Sequence, residues 1–349
     1  MTVVYIIIAV LLIGILVLVH EIGHYAAARL TGVPVVEFAI GFGKRILSRK
    51  SEKTGITYSL RIFPLGGFVA FADGEDESGI ANYYSAAVWK RLVVTVSGPL
   101  MNFVLAFVLA VFYLMVIGLP TVLPNVGSVN ADSPAQAAGV QVGDRFLRVR
   151  GVDVNDDLNK IRAEINASGG APFDAVLERD GKEVAVVITP VLAADQKTYI
   201  IGITIGQQGP PVRYGFLDSL QMSFQIMVNA VKVLLQFLFN LVTQGKGGEN
   251  FASPVGIVQV MTQQAQANGW QSFIDMAIML SVNLGLFNLL PLPALDGSKV
   301  IFLVIEGIRR KPISPNKESI VSVIGLVMFA ILSIFLVGRD LAKLFGWMQ

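Results

Sequence analysis

The sequence predicts a polytopic α-helical membrane protein of about four transmembrane helices, with one soluble domain inserted between the second and third helices. Of the 349 residues, 54% are hydrophobic and only 15% are charged, whereas soluble domains carry about 25% charged residues. The hydrophobic residues are gathered into long runs, and charged residues return in a block between the second run and the third. Helices that face lipid explain this excess of apolar side chains better than the core of a soluble protein.

Four apolar runs, at residues 3–19, 92–119, 276–295 and 320–337, are expected to form these helices. A helix that spans a bilayer needs about 20 mostly apolar residues. We expect the first helix to continue beyond its apolar run and to end near Arg29. A signal peptide is the alternative for this run, but no basic residue precedes it and it exceeds the roughly 7–15 residues of such a segment. We therefore favour a retained helix.

The inserted block predicts a soluble domain at residues 121–208, with Gly-Asp turns and strands of alternating polarity. The remaining chain divides into a membrane core with the first two helices (1–120), an interfacial linker (209–270) and a second part of the membrane core (271–349). Within the linker, residues 215–245 carry apolar side chains near helical spacing, interrupted by polar ones. This pattern favours an amphipathic helix on the membrane surface, and a fifth transmembrane helix is the alternative.

The distribution of basic residues predicts the orientation, since short cytoplasmic loops are enriched in Lys and Arg. The segment between the first two helices contains Arg29, Lys44, Arg45, Arg49, Lys50, Lys53, Arg61, Lys90 and Arg91, and the segment between the last two contains Arg309, Arg310, Lys311 and Lys317. We expect both segments to be cytoplasmic, and both termini and the soluble domain to lie outside. The net charge of only +2 argues against a nucleic-acid partner.

A metal-binding motif lies at the end of the first apolar run. The chain has two histidines, His20 and His24, and Glu21 follows the first of them. On a helix, positions four residues apart share a face, so both imidazoles can bind one zinc ion (Zn²⁺) while Glu21 acts as a general base. A catalytic zinc site needs a third protein ligand. Because the chain has no cysteine and no other histidine, that ligand must be Asp or Glu.

Asp296 is the predicted third ligand. It directly follows the third apolar run, just as His20 directly follows the first. If both helices run from outside to inside, as predicted, the two residues lie at the same depth near the cytoplasmic side. The nearby Pro291 and Pro293 interrupt the helix, and an acidic residue within a membrane segment indicates a functional site. The His-Glu-x-x-His pattern alone also occurs by chance. Burying these polar residues without partners is costly, however, and a carboxylate at matching depth favours catalysis.

Two other classes of protein fit parts of this pattern. A zinc transporter would use His and Asp ligands within the membrane, but the sequence shows one polar cluster and no second gate. A non-catalytic scaffold would need no zinc. Metal flux that persists in Glu21→Gln would favour the transporter, and absence of zinc from the pure protein would favour the scaffold.

These motifs resemble the site-2 protease family of intramembrane zinc metalloproteases, in its bacterial branch that carries a PDZ domain. The resemblance rests on His-Glu-x-x-His at 20–24, on Asn-x-x-Pro-x-Pro-x-Leu-Asp-Gly at 288–297 and on Ser-Gly-Pro-Leu-Met-Asn at 97–102. It covers nearly the whole chain. It implies proteolysis within the plasma membrane of a bacterium, with the active site near the cytoplasmic face. Gly41-Phe42-Gly43 resembles the family's re-entrant β-hairpin, and 64–68 resembles the strand that follows it.

The resemblance implies a single-pass membrane protein as substrate, such as an anti-sigma factor already cut outside the membrane or the remnant of a signal peptide. A transmembrane helix has no free backbone groups, so the substrate must unwind locally before cleavage. The residues expected to position the unwound segment are Gly41, Phe42, Gly43, Gly67, Asn102, Asn288, Pro291 and Pro293. An edge strand near Gly41–Phe42, or near Gly67–Phe71, is expected to pair with this segment and hold it extended. For Asn102 and Asn288, hydrogen bonding between helices is the alternative. Membrane lipid is the other expected partner.

The inserted block resembles a single PDZ domain of circularly permuted bacterial type, an α+β fold. The resemblance rests on 126–129, Ser133-Pro134-Ala135, 138–140 and Gly143-Asp144-Arg145. A PDZ domain can bind an extended peptide at a sheet edge. The alternative is a domain that binds no ligand and excludes bulky substrates by size.

Overall fold

The computed structural model describes residues 2–72, 82–154, 157–193, 198–247 and 251–344. The chain forms two compact units. The first combines residues 1–116 with residues 214–349, and the second consists of Ile117–Arg213. The second unit is slightly longer at each end than the soluble domain predicted at 121–208.

Helices dominate the first unit. In chain order they are α1 (Thr2–Thr31), α2 (Val88–Phe112, extended by one π-helical turn at Tyr113–Ile117), α5 (Phe216–Gln244), α6 (Pro254–Asn268), α7 (Gln271–Leu289), α8 (Asp296–Arg309) and α9 (Pro315–Leu344). The numbers α3 and α4 belong to the second unit. The third predicted run, 276–295, is helical only as far as Leu289, because the segment with Pro291 and Pro293 separates α7 from α8.

Five helices among the described residues are long and apolar enough to cross a membrane, one more than the sequence predicts. They are Thr2–Thr31, Val88–Ile117, Phe216–Gln244, Gln271–Leu289 and Pro315–Ala342. The additional one is α5, for which we favoured a position on the membrane surface. Its interrupting side chains are mostly uncharged, and Asp218 and Lys232 are its only charged residues, so its mean hydropathy stays high enough for a span.

Close contact between α1 and α2 depends on two glycines, one on each helix. A Cβ on Gly23 would lie 2.3 Å from the carbonyl oxygen of Ser97, and a Cβ on Gly98 would lie 2.3 Å from Nε2 of His24. Small residues let helix backbones approach each other in membranes. The two glycines therefore bring α2 directly against the helix face that carries the histidines.

An antiparallel sheet of β1 (Val35–Lys50) and β2 (Thr57–Phe71) lies in the chain between α1 and α2. The first part of β1 pairs with the end of β2, from Val35 with Phe71 to Ile40 with Gly67, and it also pairs with residues 57–60 at the start of β2. The chain bends between the two parts of β1 at Gly41 and Gly43, both with φ of 85°. Glycine adopts this conformation without strain.

A buried carboxylate holds this sheet together. Glu37 accepts hydrogen bonds from Ser59 at 2.5 Å, from Arg45 at 2.5 Å and from Arg61 at 2.8 Å. Burial alone would raise the pKa of Glu37, but the hydrogen bonds from Ser59, Arg45 and Arg61 lower it to about 2. The Arg61 guanidinium also lies 4.7 Å from the centre of the Phe68 ring. The network therefore connects Glu37 and Arg45 of β1 to Phe68 near the end of β2.

The second unit is an α+β fold. Its main sheet has the strand order β10-β3-β4-β6-β7, with β5 paired to β4, and a small sheet joins β8 to β9. The strands are β3 (Leu119–Val129), β4 (Arg145–Val149), β5 (Val152–Asp153), β6 (Phe173–Arg179), β7 (Lys182–Ile188), β8 (Val191–Leu192), β9 (Tyr199–Ile200) and β10 (Ile203–Val212). The described part of the unit also contains two helices, α3 (Pro134–Ala137) and α4 (Leu158–Ala167).

Apolar side chains of both helices and of the main sheet form the core of the second unit, with Phe146, Ile161 and Leu177 almost fully buried. Asp157 caps α4 by accepting hydrogen bonds from the amides of Asn159 and Lys160, as expected for an N-cap residue. Asp144 is buried and is held by Arg179 at 2.7 Å. Burial opposes ionisation, but the hydrogen bonds from Arg179 and the Gln141 amide lower the pKa of Asp144.

Candidate metal centre and active site

Helix α1 carries His20, Glu21 and His24 toward its C-terminal end. His20 and His24 are buried, with 6% and 8% of their surfaces exposed. Their ring centroids are 4.7 Å apart, with the ring planes nearly perpendicular. Residues four apart in a helix lie on one face, so the two rings point toward the same place.

The segment between α7 and α8 brings a carboxylate to these rings. Helix α7 ends at Leu289, Ala294 adopts a positive φ of 72°, and α8 starts with Asp296. A Cβ on Gly297 would lie 2.1 Å from the carbonyl oxygen of Leu290, so only glycine permits this close turn. Pro293 packs against α9, where a Cβ on Gly325 would lie 2.4 Å from the Pro293 carbonyl.

The three predicted ligands form a nearly equilateral triangle. Nε2 of His20 is 3.1 Å from Oδ2 of Asp296 and 3.1 Å from Nε2 of His24, and Nε2 of His24 is 3.1 Å from the same Oδ2. Donor atoms around a tetrahedral zinc, with bonds of about 2.0–2.1 Å, lie about 3.3 Å apart. The triangle therefore has the size that a zinc ion requires.

The hydrogen bonding of His24 also suits a metal ligand. Its Nδ1 donates to the carbonyl oxygen of Val94 at 2.8 Å. A carbonyl oxygen only accepts hydrogen bonds, so the proton of the neutral ring is on Nδ1 and the lone pair of Nε2 points into the triangle. The residues present fit zinc in donor type and spacing, with two imidazoles and one carboxylate, and the tautomer of His24 fits as well.

Glu21 lies beside the triangle without belonging to it. Its Oε2 accepts a hydrogen bond of 3.1 Å from the backbone amide of Val69 in β2. Glu21 also lines a cavity of about 390 Å³ together with the three predicted ligands. The carboxylate is therefore held by the sheet next to the metal ligands and faces the same space.

The structure places one of the predicted substrate-positioning residues in the lining of the cavity and the others outside it. Asn288 is among the lining residues, whereas Gly41, Phe42, Gly43, Gly67, Pro291 and Pro293 are not. Phe42 is nevertheless close, because its ring stacks at 6.4 Å on Phe68, which lines the cavity. Asn102 is completely buried and contacts His20. Its side chain does not reach the cavity, so a substrate there would not touch it.

Other lining residues were not predicted from the sequence. They are Tyr83, Tyr84, Val94, Thr95, Ala294, Lys299 and Glu318, whereas Phe68, Val69 and Phe71 belong to the edge strand expected near Gly67–Phe71. Lys299 could have been found, because it follows Asp296 by three residues on α8 and so shares its helix face. The contact of the Val69 amide with Glu21 depends on strand register, and the position of Glu318 depends on how α9 packs. Neither leaves a local signal in the sequence.

His20, His24 and Asp296 surround one point although Asp296 is far from the histidines in sequence, and Glu21 lies beside them. This arrangement defines a zinc metalloprotease centre. Comparison with known proteins agrees with this class. The model of the family described as peptidase family M50 matches residues 8–332. The chain therefore belongs to peptidase family M50, the site-2 protease family, and it is a zinc metalloprotease with zinc as its expected cofactor.

The similar proteins cover almost the whole chain. A protein of Clostridium acetobutylicum named as a zinc metalloprotease is 32% identical over 338 residues, which is 96% of each chain. The zinc metalloprotease RasP of Bacillus licheniformis is 30% identical, covering 96% of this chain and 98% of its own. The regulator of sigma-W protease RasP of Bacillus subtilis is 29% identical with the same coverage. With its five candidate spans, the chain is a polytopic helical membrane protein.

Proposed function

We propose that this protein hydrolyses a peptide bond within or near the transmembrane segment of a single-pass membrane protein. His20, His24 and Asp296 are the zinc ligands, and Glu21 is the general base. The observation that carries this proposal is the 3.1 Å triangle of ligand atoms, which lies on a helix long and apolar enough to span a bilayer. A peptide bond must reach this point, so the substrate is itself in the membrane.

Glu21 is the residue that moves the proton. Bound zinc would polarise the scissile carbonyl and acidify a water molecule. The Glu21 carboxylate takes a proton from the attacking water and delivers it to the nitrogen of the leaving amine. The Val69 amide, 3.1 Å from Oε2, keeps the carboxylate oriented while the proton is transferred. The two histidines and Asp296 keep their positions throughout.

The end of β2 is the proposed docking strand for the unwound substrate. Residues 67–71 pair with residues 35–40 of β1, and Phe68, Val69 and Phe71 of the same segment line the cavity. An extended peptide can add to the free edge of a sheet through backbone hydrogen bonds. Gly41 and Gly43 shape the supporting strand, Gly67 lies at the start of the docking segment, and Asn288 offers a polar side chain to the peptide backbone.

The second unit offers a groove for an extended peptide. A cavity of about 530 Å³ lies between α4 and the edge strand β10, lined by Leu158, Ile165, Tyr199, Ile203 and Ile205 among others. Among the described residues no strand pairs with the outer edge of β10, which is at one end of the strand order, and we propose this edge for strand addition. We expect this unit outside the plasma membrane and the zinc centre near the cytoplasmic face. Exclusion of bulky substrates without peptide binding is the alternative role.

Cleavage of a membrane-anchored substrate tests the proposed function. Purified protein is reconstituted with a single-pass protein, and the new ends of the products are located by mass spectrometry. We expect cleavage within or beside the transmembrane segment, and we expect Glu21→Gln to retain zinc and lose cleavage. Glu52→Gln, at an exposed position between β1 and β2, is the control and should cleave like the unmodified protein. Full turnover by Glu21→Gln, or cleavage only in the soluble part, would contradict the proposal.

A further inference from the structure

Asn102 lies behind the metal centre, on the side of His20 away from the ligand triangle. Its residue surface is 0% exposed, and its Nδ2 is 3.1 Å from Nδ1 of His20. Its backbone carbonyl accepts a hydrogen bond from Ser281 of α7 at 2.8 Å. The side chain is therefore held where α1, α2 and α7 meet, in contact with the ring nitrogen that does not face the triangle.

The two ends of the Asn102 carboxamide have opposite hydrogen-bonding character. The NH₂ end donates and the oxygen accepts, and a half-turn of the amide exchanges them. In the arrangement described, the oxygen Oδ1 is buried and has no hydrogen-bond partner among the described residues. If Nδ2 donates to Nδ1, the ring proton of neutral His20 is on Nε2, which then has no lone pair for a metal. If Oδ1 accepts from Nδ1–H, the lone pair is on Nε2.

We propose that Asn102 is a positioning residue whose side-chain oxygen accepts the proton of His20 Nδ1 and thereby makes Nε2 a metal ligand. This inference rests on the proposed zinc site. In this arrangement Asn102 accepts a hydrogen bond from Nδ1 of His20, as the Val94 carbonyl accepts one from Nδ1 of His24 at 2.8 Å. Such outer partners fix the tautomer and orientation of metal-binding histidines. Asn102 therefore acts through His20 and does not touch the substrate.

Equilibrium zinc affinity, measured by competition with a chelator on metal-stripped full-length protein, tests this role. Asn102→Leu has a similar shape but no acceptor, and we expect its affinity to fall about 10–100-fold. Asn102→Asp keeps an acceptor and loses the donor, and we expect its affinity to stay within about tenfold of the unmodified protein. If the side chain instead donates to Nδ1, the contact opposes zinc binding at Nε2, so neither Asn102→Leu nor Asn102→Asp will lose affinity, and that result would overturn the proposal.

Two controls separate this role from others. Ser281→Ala removes the hydrogen bond to the Asn102 backbone without altering its side chain, and we expect near-normal zinc affinity from it. An equal loss in Ser281→Ala and Asn102→Leu would show a general packing effect and would overturn the inference. His24→Ala tests the zinc site itself. If it loses zinc while Asn102→Leu binds normally, only the role of Asn102 is wrong, and if His24→Ala binds normally, the proposed site is wrong.

Discussion

Glu21 and Val69 are joined by a hydrogen bond of 3.1 Å from the Val69 amide to the glutamate carboxylate. Val69 belongs to β2, and this strand lies tightly against α1, since a Cβ on Gly66 would be 2.7 Å from the side chain of Val17. The proposed general base and the proposed docking strand are therefore held at a fixed distance from each other. This contact makes the sheet part of the active site.

Replacing Val69 by proline should reduce catalysis without removing zinc. Proline has no backbone N–H to donate to Glu21, and it is tolerated on edge strands. A hydrogen bond to a charged group contributes about 1.5–3 kcal/mol, so we expect cleavage to fall roughly 10–100-fold. Val69→Ala keeps the amide and should cleave nearly normally, as measured by turnover at saturating substrate. Equal rates for Val69→Pro and Val69→Ala would show that the hydrogen bond has no part in catalysis.

Glu37 should make the stability of the protein depend on pH in acid. Its pKa is lowered to about 2 in the folded protein by Ser59, Arg45 and Arg61, against the effect of burial. The stabilisation is therefore complete above the ordinary carboxyl pKa of about 4.3 and is lost as the pH falls toward 2. We expect Glu37→Gln to lower the unfolding temperature at neutral pH, with a difference that shrinks below about pH 4.

The unfolding temperature of the detergent-solubilised protein, measured from pH 7 to pH 3, checks the role of Glu37. Arg45→Gln is a matched control, because 52% of the Arg45 side chain is exposed and an exposed ion pair contributes only about 0–1 kcal/mol. It should destabilise less than Glu37→Gln. A difference between Glu37→Gln and the unmodified protein that stays constant down to pH 3 would contradict the assignment.

Arg91 and Glu306 form a buried ion pair between α2 and α8, with 3% and 8% of their side chains exposed. Removing one partner leaves a buried charge alone, which costs about 3–5 kcal/mol, whereas replacing both by apolar residues can be neutral. We expect Arg91→Met and Glu306→Leu each to lower the unfolding temperature more than the double variant does. If the double variant is the least stable and the two losses add, the pair is not coupled in this way.

The proposed orientation can be tested with single introduced cysteines, because the chain has none of its own. We expect cysteines at Lys50 and Arg310 to be labelled from the cytoplasmic side, and one at Gly151 from the outside. Lys246, which follows α5, distinguishes the two interpretations of that helix. Labelling from outside supports a surface position, and labelling from the cytoplasm supports a fifth span. Labelling of Gly151 on the same side as Lys50 would contradict the proposed orientation.

The sequence predicts this fold and site most successfully where the information is local. The spacing of His20 and His24 fixes a shared helix face, and the depth of the third apolar run leads to Asp296. The structure brings these three side chains together. The break after α7 was also predictable, because Pro291 and Pro293 cannot continue a helix.

What the sequence could not indicate depends on packing between distant elements. Val69 reaches Glu21 only through the register of β2, and Asn102 faces His20 only because Gly23 and Gly98 let α1 and α2 approach closely. The sequence suggests that Asn102 contacts the substrate, because it lies near the predicted site. In the structure its side chain is buried and contacts the predicted zinc ligand His20. The structure shows one more candidate span than the sequence predicts, because α5 combines an amphipathic pattern with few charges.

Zinc content measured by mass spectrometry on the purified protein and two variants tests the central claim most directly. We predict about one zinc per chain in the unmodified protein, the same content in Glu21→Gln, and loss of most of the zinc in Asp296→Ala. The reason is that Asp296 is a ligand and Glu21 is the base beside it. Full zinc content in Asp296→Ala, or loss of zinc in Glu21→Gln, would contradict the assignment of this centre.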